Sequence, residues 1–159
     1  MVGTVTVSVP IYVERTNSTV VRSSFVDLPT MDELEAFLEW TVWHMGQRDG
    51  APLFVVMDIR RAPTPPLDHL KRHAAFFKEH AELIRGAVTG VVFVAQSPML
   101  RGALKALFWM QAPPTDVSVA RDLDDARELL RPMLTAAGVK GAAEPFDDNP
   151  ATQGEEIRP

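Results

Sequence analysis

The sequence predicts an α/β protein with a mixed, mainly parallel sheet and flanking helices. Three observations carry this expectation. Two apolar runs, Leu53 to Met57 and Val88 to Ala95, show no polar alternation, as in strands covered on both faces. Each is followed by a segment whose apolar residues recur at helical spacing. The full order reads ββαβαβαβα, and its later βαβ units place parallel strands between helix layers.

The chain begins with β-type residues. Val5, Val7 and Val9 share one face, and Ile11 and Val13 resume that parity after Pro10. This predicts one strand over Thr4 to Arg15, with an edge irregularity at Pro10. Asn17-Ser18 is a turn signal, and Thr19 to Val26 reads as the partner strand of a hairpin.

Thr30 and Glu33 have the spacing of a capping box, so a helix is expected from about Met31 to Gln47. Leu34, Phe37, Leu38, Thr41, Val42 and Met45 form its core face. Asp32, Glu33, Glu35 and Glu39 suit the wet face and the positive helix start. Asp49-Gly50-Ala51-Pro52 ends it. After the strand at Leu53, Thr64 and Pro65 read as N-cap and first helical residue of a helix over Pro65 to Arg85. Leu67, Leu70, Ala74, Phe77, Ala81 and Ile84 give it an inward stripe. Gly86 stops it.

Ser97-Pro98 repeats the cap-and-proline device and opens a third helix to about Gln111, which Ala112-Pro113-Pro114 ends. Val117 to Ala120 is a short last strand. Asp122 to Ala137 is a final amphipathic helix, with Leu123, Ala126, Leu129, Leu130, Met133 and Leu134 inward. Pro132 within it predicts a kink or an early end. Residues 138–159 are rich in Gly, Ala, Pro, Asp and Glu and are expected to form a disordered acidic tail. One domain over residues 1–137 accounts for the rest.

With 159 residues, 46% of them hydrophobic and 23% charged, the composition is that of a globular domain with a sizeable core. The absence of cysteine excludes disulfides, thiolate metal sites and a thiol nucleophile. Met1 to Pro10 has neither a basic start nor an apolar signal core, and no apolar run is long enough to span a bilayer. Cytoplasmic location without stable membrane insertion is therefore expected. The net charge of −5 is unevenly spread. Residues 60–121 carry nine basic and four acidic side chains, a basic island in an acidic chain. Such an island suits an anion or an acidic partner. The acidic balance opposes nucleic-acid binding.

Three segments carry a family resemblance. They are the strand Val55-Val56-Met57-Asp58, the run from Val91-Val92-Phe93-Val94 through Ala95-Gln96-Ser97-Pro98 to Met99-Leu100-Arg101-Gly102-Ala103-Leu104, and the helix start Asp122-Leu123-Asp124-Asp125-Ala126. Together with the element order, they make the chain resemble the STAS-like domains, those similar to bacterial anti-sigma-factor antagonists, over about residues 5–135. The resemblance implies a four- or five-stranded sheet backed by helices, protein–protein regulation and, in some members, nucleotide or lipid binding. In phosphoregulated members a serine follows the strand-ending aspartate. Here Asp58-Ile59-Arg60-Arg61 stands in that place and the nearest hydroxyl is Thr64, so the phosphorylation switch does not carry over.

Three candidate sites follow. Asp58, Arg60, Arg61, Thr64, Ser97 and Arg101 would form a crest at the carboxyl ends of the strands, where helix starts and guanidinium forks favour anions or an acidic partner. The third helix has more apolar surface than one core face needs. Met99, Leu100, Lys105, Phe108 and Trp109 are its candidate interface residues, with Arg101, Lys105 and either Phe108 or Trp109 turned to solvent. His69, His73 and His80 share a helix face, but the intervening Lys71 and Arg72 oppose a divalent cation, and the bland reading is a solvated or half-buried face. His44 stands isolated. No GxSxG, P-loop, GxGxxG or paired-carboxylate motif occurs. The expected function is a non-enzymatic STAS-like regulatory or protein-interaction module in bacterial signalling, without cofactor or metal, contacting a protein partner or a second copy. The alternative is a small-ligand binder, for a lipid or nucleotide, of related fold such as the CRAL-TRIO type.

Overall fold

The computed structural model describes residues 3–8, 10–15, 19–48, 50–139 and 155–156. The strands are β1 (Gly3–Ser8), β2 (Ile11–Arg15), β3 (Val20–Phe25), β4 (Phe54–Asp58), β5 (Gly90–Val94), β6 (Asp116–Ala120) and β7 (Glu155–Glu156). The helices are α1 (Met31–Gly46), α2 (Leu67–Glu79), α3 (Ala81–Ala87), α4 (Pro98–Met110) and α5 (Leu123–Ala136). The strands form one sheet of order β6-β5-β4-β3-β2-β1-β7.

The α/β expectation holds, with β3, β4, β5 and β6 parallel to one another. The beginning differs from the sequence reading. Pro10 separates two strands, and β1 turns back antiparallel on β2, with a register shift between Thr6 and Ser8. Proline cannot donate to a ladder, so the chain turns there instead of running on. β2 then pairs antiparallel with β3. Most of the expected tail lies outside the described residues.

Side-chain parity divides the sheet. On β3, β4 and β5 the odd-numbered Val21, Val55, Met57, Val91 and Phe93 face α1 to α4. The even-numbered Val20, Phe54, Val56, Val92 and Val94, with Ala120 of β6, face Leu123, Ala126, Leu130 and Leu134 of α5. Gly90 admits this second layer: a Cβ there would stand 3.3 Å from Met133 Sδ.

The helix ends follow local chemistry. Glu33 N–H donates to Thr30 Oγ1 at 3.2 Å, and Thr30 N–H donates to Glu33 Oε2 at 2.7 Å, closing the capping box of α1. Leu100 N–H donates to Ser97 Oγ at 3.0 Å at the start of α4. Asp125 N–H donates to Asp122 Oδ1 at 2.8 Å at the start of α5. At its other end, Val139 N–H reaches Leu134 O and Gly138 N–H reaches Thr135 O, a Schellman motif. Gly138, at φ 71°, supplies the left-handed residue this motif requires.

Several helix expectations meet a different structure. Of the kink or early end expected at Pro132, the early end does not occur, since α5 continues to Ala136. The expected helix over Pro65 to Arg85 is two helices, because His80 leaves helical geometry at φ −114°, ψ 20°. Its ring instead packs 5.0 Å from that of Phe76. Thr64 does not cap α2; Pro66 holds the N-cap position without a side-chain bond. With Pro65 and Pro66 in succession, proline's restriction on the residue before it keeps Pro65 extended and delays the helix. The inward face of α2 is also rotated. His69 and Phe76 are buried, while Leu67 is 59% exposed.

Candidate functional site

The sheet places two candidate regions on the α1–α4 side. The first is the crest beyond β4 and β5. These strands run parallel in register, Asp58 beside Val94, and Ile59 N–H donates to Val94 O at 3.1 Å. The loops carrying Arg60, Arg61 and Ser97 therefore leave the same end of the sheet.

The crest is not uniformly cationic. Asp58 is buried, and Arg60 forks onto it: Nε donates to Oδ1 at 2.9 Å and Nη2 to Oδ2 at 2.8 Å. The Arg60 backbone N–H also reaches Oδ1, at 3.3 Å. One guanidinium proposed for a ligand thus neutralises the strand-ending carboxylate. Arg61 and Thr64 are exposed, Arg101 is half-buried, and Ser97 caps α4.

The second region is α4. Met99, Gly102, Ala106 and Trp109 recur at i, i+3, i+7 and i+10, and all four are exposed. Trp109 is 89% exposed and Met99 71%. Exposed Lys105 lies beside this stripe, and α4 carries no acidic residue. Leu100 belongs to the core instead: only 4% exposed, it packs with Phe93, Ala95 and Leu104, so it is no interface residue. Phe108 is half-buried, its ring edge-on to Phe93 at 5.7 Å. Of the two aromatic residues offered to solvent by the sequence, Trp109 takes that position.

Beneath these helices lies a cavity of about 180 Å³, between the odd-numbered sheet face and helices α1 to α4. Val55, Met57, Val91 and Phe93 form its floor, and Trp40, His44, His69 and His73 contribute to its roof. No Asp, Glu, Lys or Arg lines it. Leu28 and Pro63, which follow β3 and β4, line it and are exposed, so it reaches the surface at the crest end.

The histidines thus acquire places that their sequence pattern did not show. His44, isolated in the sequence, is buried and stacked on Trp40, with ring centroids 4.8 Å apart and planes 6° apart. His69 is buried. His73 is half-buried and lines the cavity. Burial pushes its pKa down from 6.5 to about 4, helped by neighbouring His69 and Arg72. Among the described residues no group of three His, Asp or Glu side chains converges for a metal ion. Arg22 on β3, fully buried, also escaped the sequence reading; an arginine directly after Val20 and Val21 in the strand was its only signal.

No protein-family model matches the chain. No curated protein matches it either. Among solved structures the chain is similar to an uncharacterized protein of the DUF3478 family with a SpoIIAA-like fold from Shewanella loihica PV-4. The two share 15% sequence identity, with a TM-score of 0.56, over 82% of this chain and 95% of the other. The chain accordingly has the SpoIIAA-like, STAS-like fold. Among the described residues, no helix is long and apolar enough to cross a membrane.

Proposed function

We propose that this chain is a non-enzymatic STAS-like interaction module that docks an acidic-rimmed protein partner on the outer face of α4. The observation that carries the reading is Trp109. An indole 89% in solvent has no role in the core. It continues a stripe of Met99, Gly102 and Ala106, flanked by Lys105 with Arg101 nearby. Aromatic and Met side chains beside cations are the composition of interface centres. Gly102 leaves open space above its backbone, which allows close approach. The SpoIIAA-like fold supports a binding role, and a place in bacterial signalling is the setting proposed for it.

The test is affinity capture with the full chain, comparing wild type with Trp109→Ala and Lys105→Glu. The expected result is a protein enriched by wild type and lost from both variants. Equal recovery of every captured protein by all three would overturn the reading. Sedimentation across concentrations identifies the case where the partner is a second copy, as a dimer that Trp109→Ala dissociates.

A further inference from the structure

We infer that the cavity between the sheet and α1 to α4 is a binding site for one compact, uncharged, mostly apolar molecule bearing a hydrogen-bond acceptor. The site is separate from the outer face of α4, so the inference does not depend on partner docking.

Size is the first argument. Packed interiors leave few voids larger than a water molecule. The cavity here, of about 180 Å³, is well beyond that. Apolar cavities of about 150 Å³ stay dry and accept a benzene-sized molecule. The space here suits a substituted single ring or a short chain. It is too small for a two-chain lipid.

Charge is the second argument. The walls carry no carboxylate, ammonium or guanidinium group. A phosphate or carboxylate brought inside would lose its hydration with only the imidazoles of His44, His69 and His73 to meet it. A nucleotide is disfavoured on this ground, and a neutral ligand is favoured.

The third argument is an unused donor. Trp40 lines the cavity and is 3% exposed, and among the described residues its indole N–H has no hydrogen-bond partner. Buried donors are nearly always satisfied, and this one, sealed from the cavity as the ring now stands, would gain a partner when a small turn of the indole brings it onto a ligand acceptor. Two hydroxyls of the wall are occupied: Thr41 donates to Phe37 O and Thr115 to Val88 O, each at 2.8 Å; the wall also holds the hydroxyl of Ser23. A carbonyl or ether oxygen on the ligand would complete Trp40. The exposed Leu28 and Pro63 mark the way in.

The test uses the full chain and three probes of similar size: methyl benzoate, ethylbenzene and benzoate. Calorimetry should show one saturable site for methyl benzoate, several-fold weaker binding of ethylbenzene, and binding of benzoate at least tenfold weaker than the ester. Trp40→Phe should bring the ester down to the affinity of ethylbenzene. Val91→Phe and Leu70→Phe, which fill the space, should abolish binding while circular dichroism reports a folded chain. In wild type, which needs no substitution, the ester should shift the methyl resonances of Val55, Val91 and Leu104. Absence of saturable ester binding overturns the inference. So do benzoate affinity equal to the ester's, undiminished binding in folded, filled variants, or shifts confined to residues outside the cavity.

Discussion

Arg72 of α2 places its Nε and Nη2 on the two carboxylate oxygens of Glu35 of α1, with Nη2 to Oε2 at 3.1 Å. The two residues are 37 positions apart. α1 and α2 both roof the cavity, and this fork ties one to the other. The guanidinium holds the Glu35 carboxyl below its ordinary pKa, and the carboxylate raises that of Arg72. Arg72→Met should therefore lower stability by no more than about 1 kcal/mol, because the pair is partly solvated and screened. Urea unfolding at low and high salt measures it, and the loss should shrink at high salt.

The Asp58–Arg60 pair should behave differently. Both side chains are largely shielded, 5% and 18% exposed. Arg60→Ala leaves a buried carboxylate uncompensated and should cost about 3 kcal/mol. Asp58→Leu combined with Arg60→Met should recover most of that loss. A double variant as unstable as Arg60→Ala would mean that packing, and not the stranded charge, sets the cost.

His73 gives stability a dependence on acid. Unfolded, it takes a proton near pH 6.5; folded, only near pH 4. Between these values the unfolded state holds the extra proton, so stability rises with pH. The contribution is complete above about pH 6.5 and is lost on descending toward pH 4. It amounts to at most about 3 kcal/mol. His73→Phe should flatten the fall in urea midpoint between pH 7 and pH 4.5. The same fall in both proteins would place its source elsewhere.

Two hydroxyls that look alike in sequence should separate in experiment. Ser97 bonds the backbone of α4, whereas Thr64 precedes two prolines and caps nothing. Ser97→Ala should cost about 1 kcal/mol. Thr64→Ala should change stability by less than about 0.5 kcal/mol. Thermal melts of the two variants decide it.

Elements marked by local chemistry were legible in the sequence: the Thr30–Glu33 box, the Ser97-Pro98 start, the apolar runs of β4 and β5, and the amphipathic α5. The break at His80 was not, because no glycine or proline marks it. The outward turn of Trp109 was legible as one of two options, since the helix has more apolar positions than one face can bury. The cavity was illegible. Its roof draws Trp40 and His44 from α1 and His69 and His73 from α2, and periodicity within one helix says nothing about the space between two. The stripe rule placed Leu67 inside for the same reason: it knows the period of a helix, not the direction of its neighbour.

The odd–even division of the strands gives the two sides of this protein separate evolutionary freedom. Replacing Val55 or Val91 reshapes the hollow while the α5 layer, which rests on Phe54, Val56 and Val92, keeps its footing. Deleting a single residue within β4 would exchange the sides at once and swing the Asp58 carboxylate toward the greasy interior. Selection can therefore retune what the hollow admits one alternate position at a time, whereas frameshifted registers are closed to it.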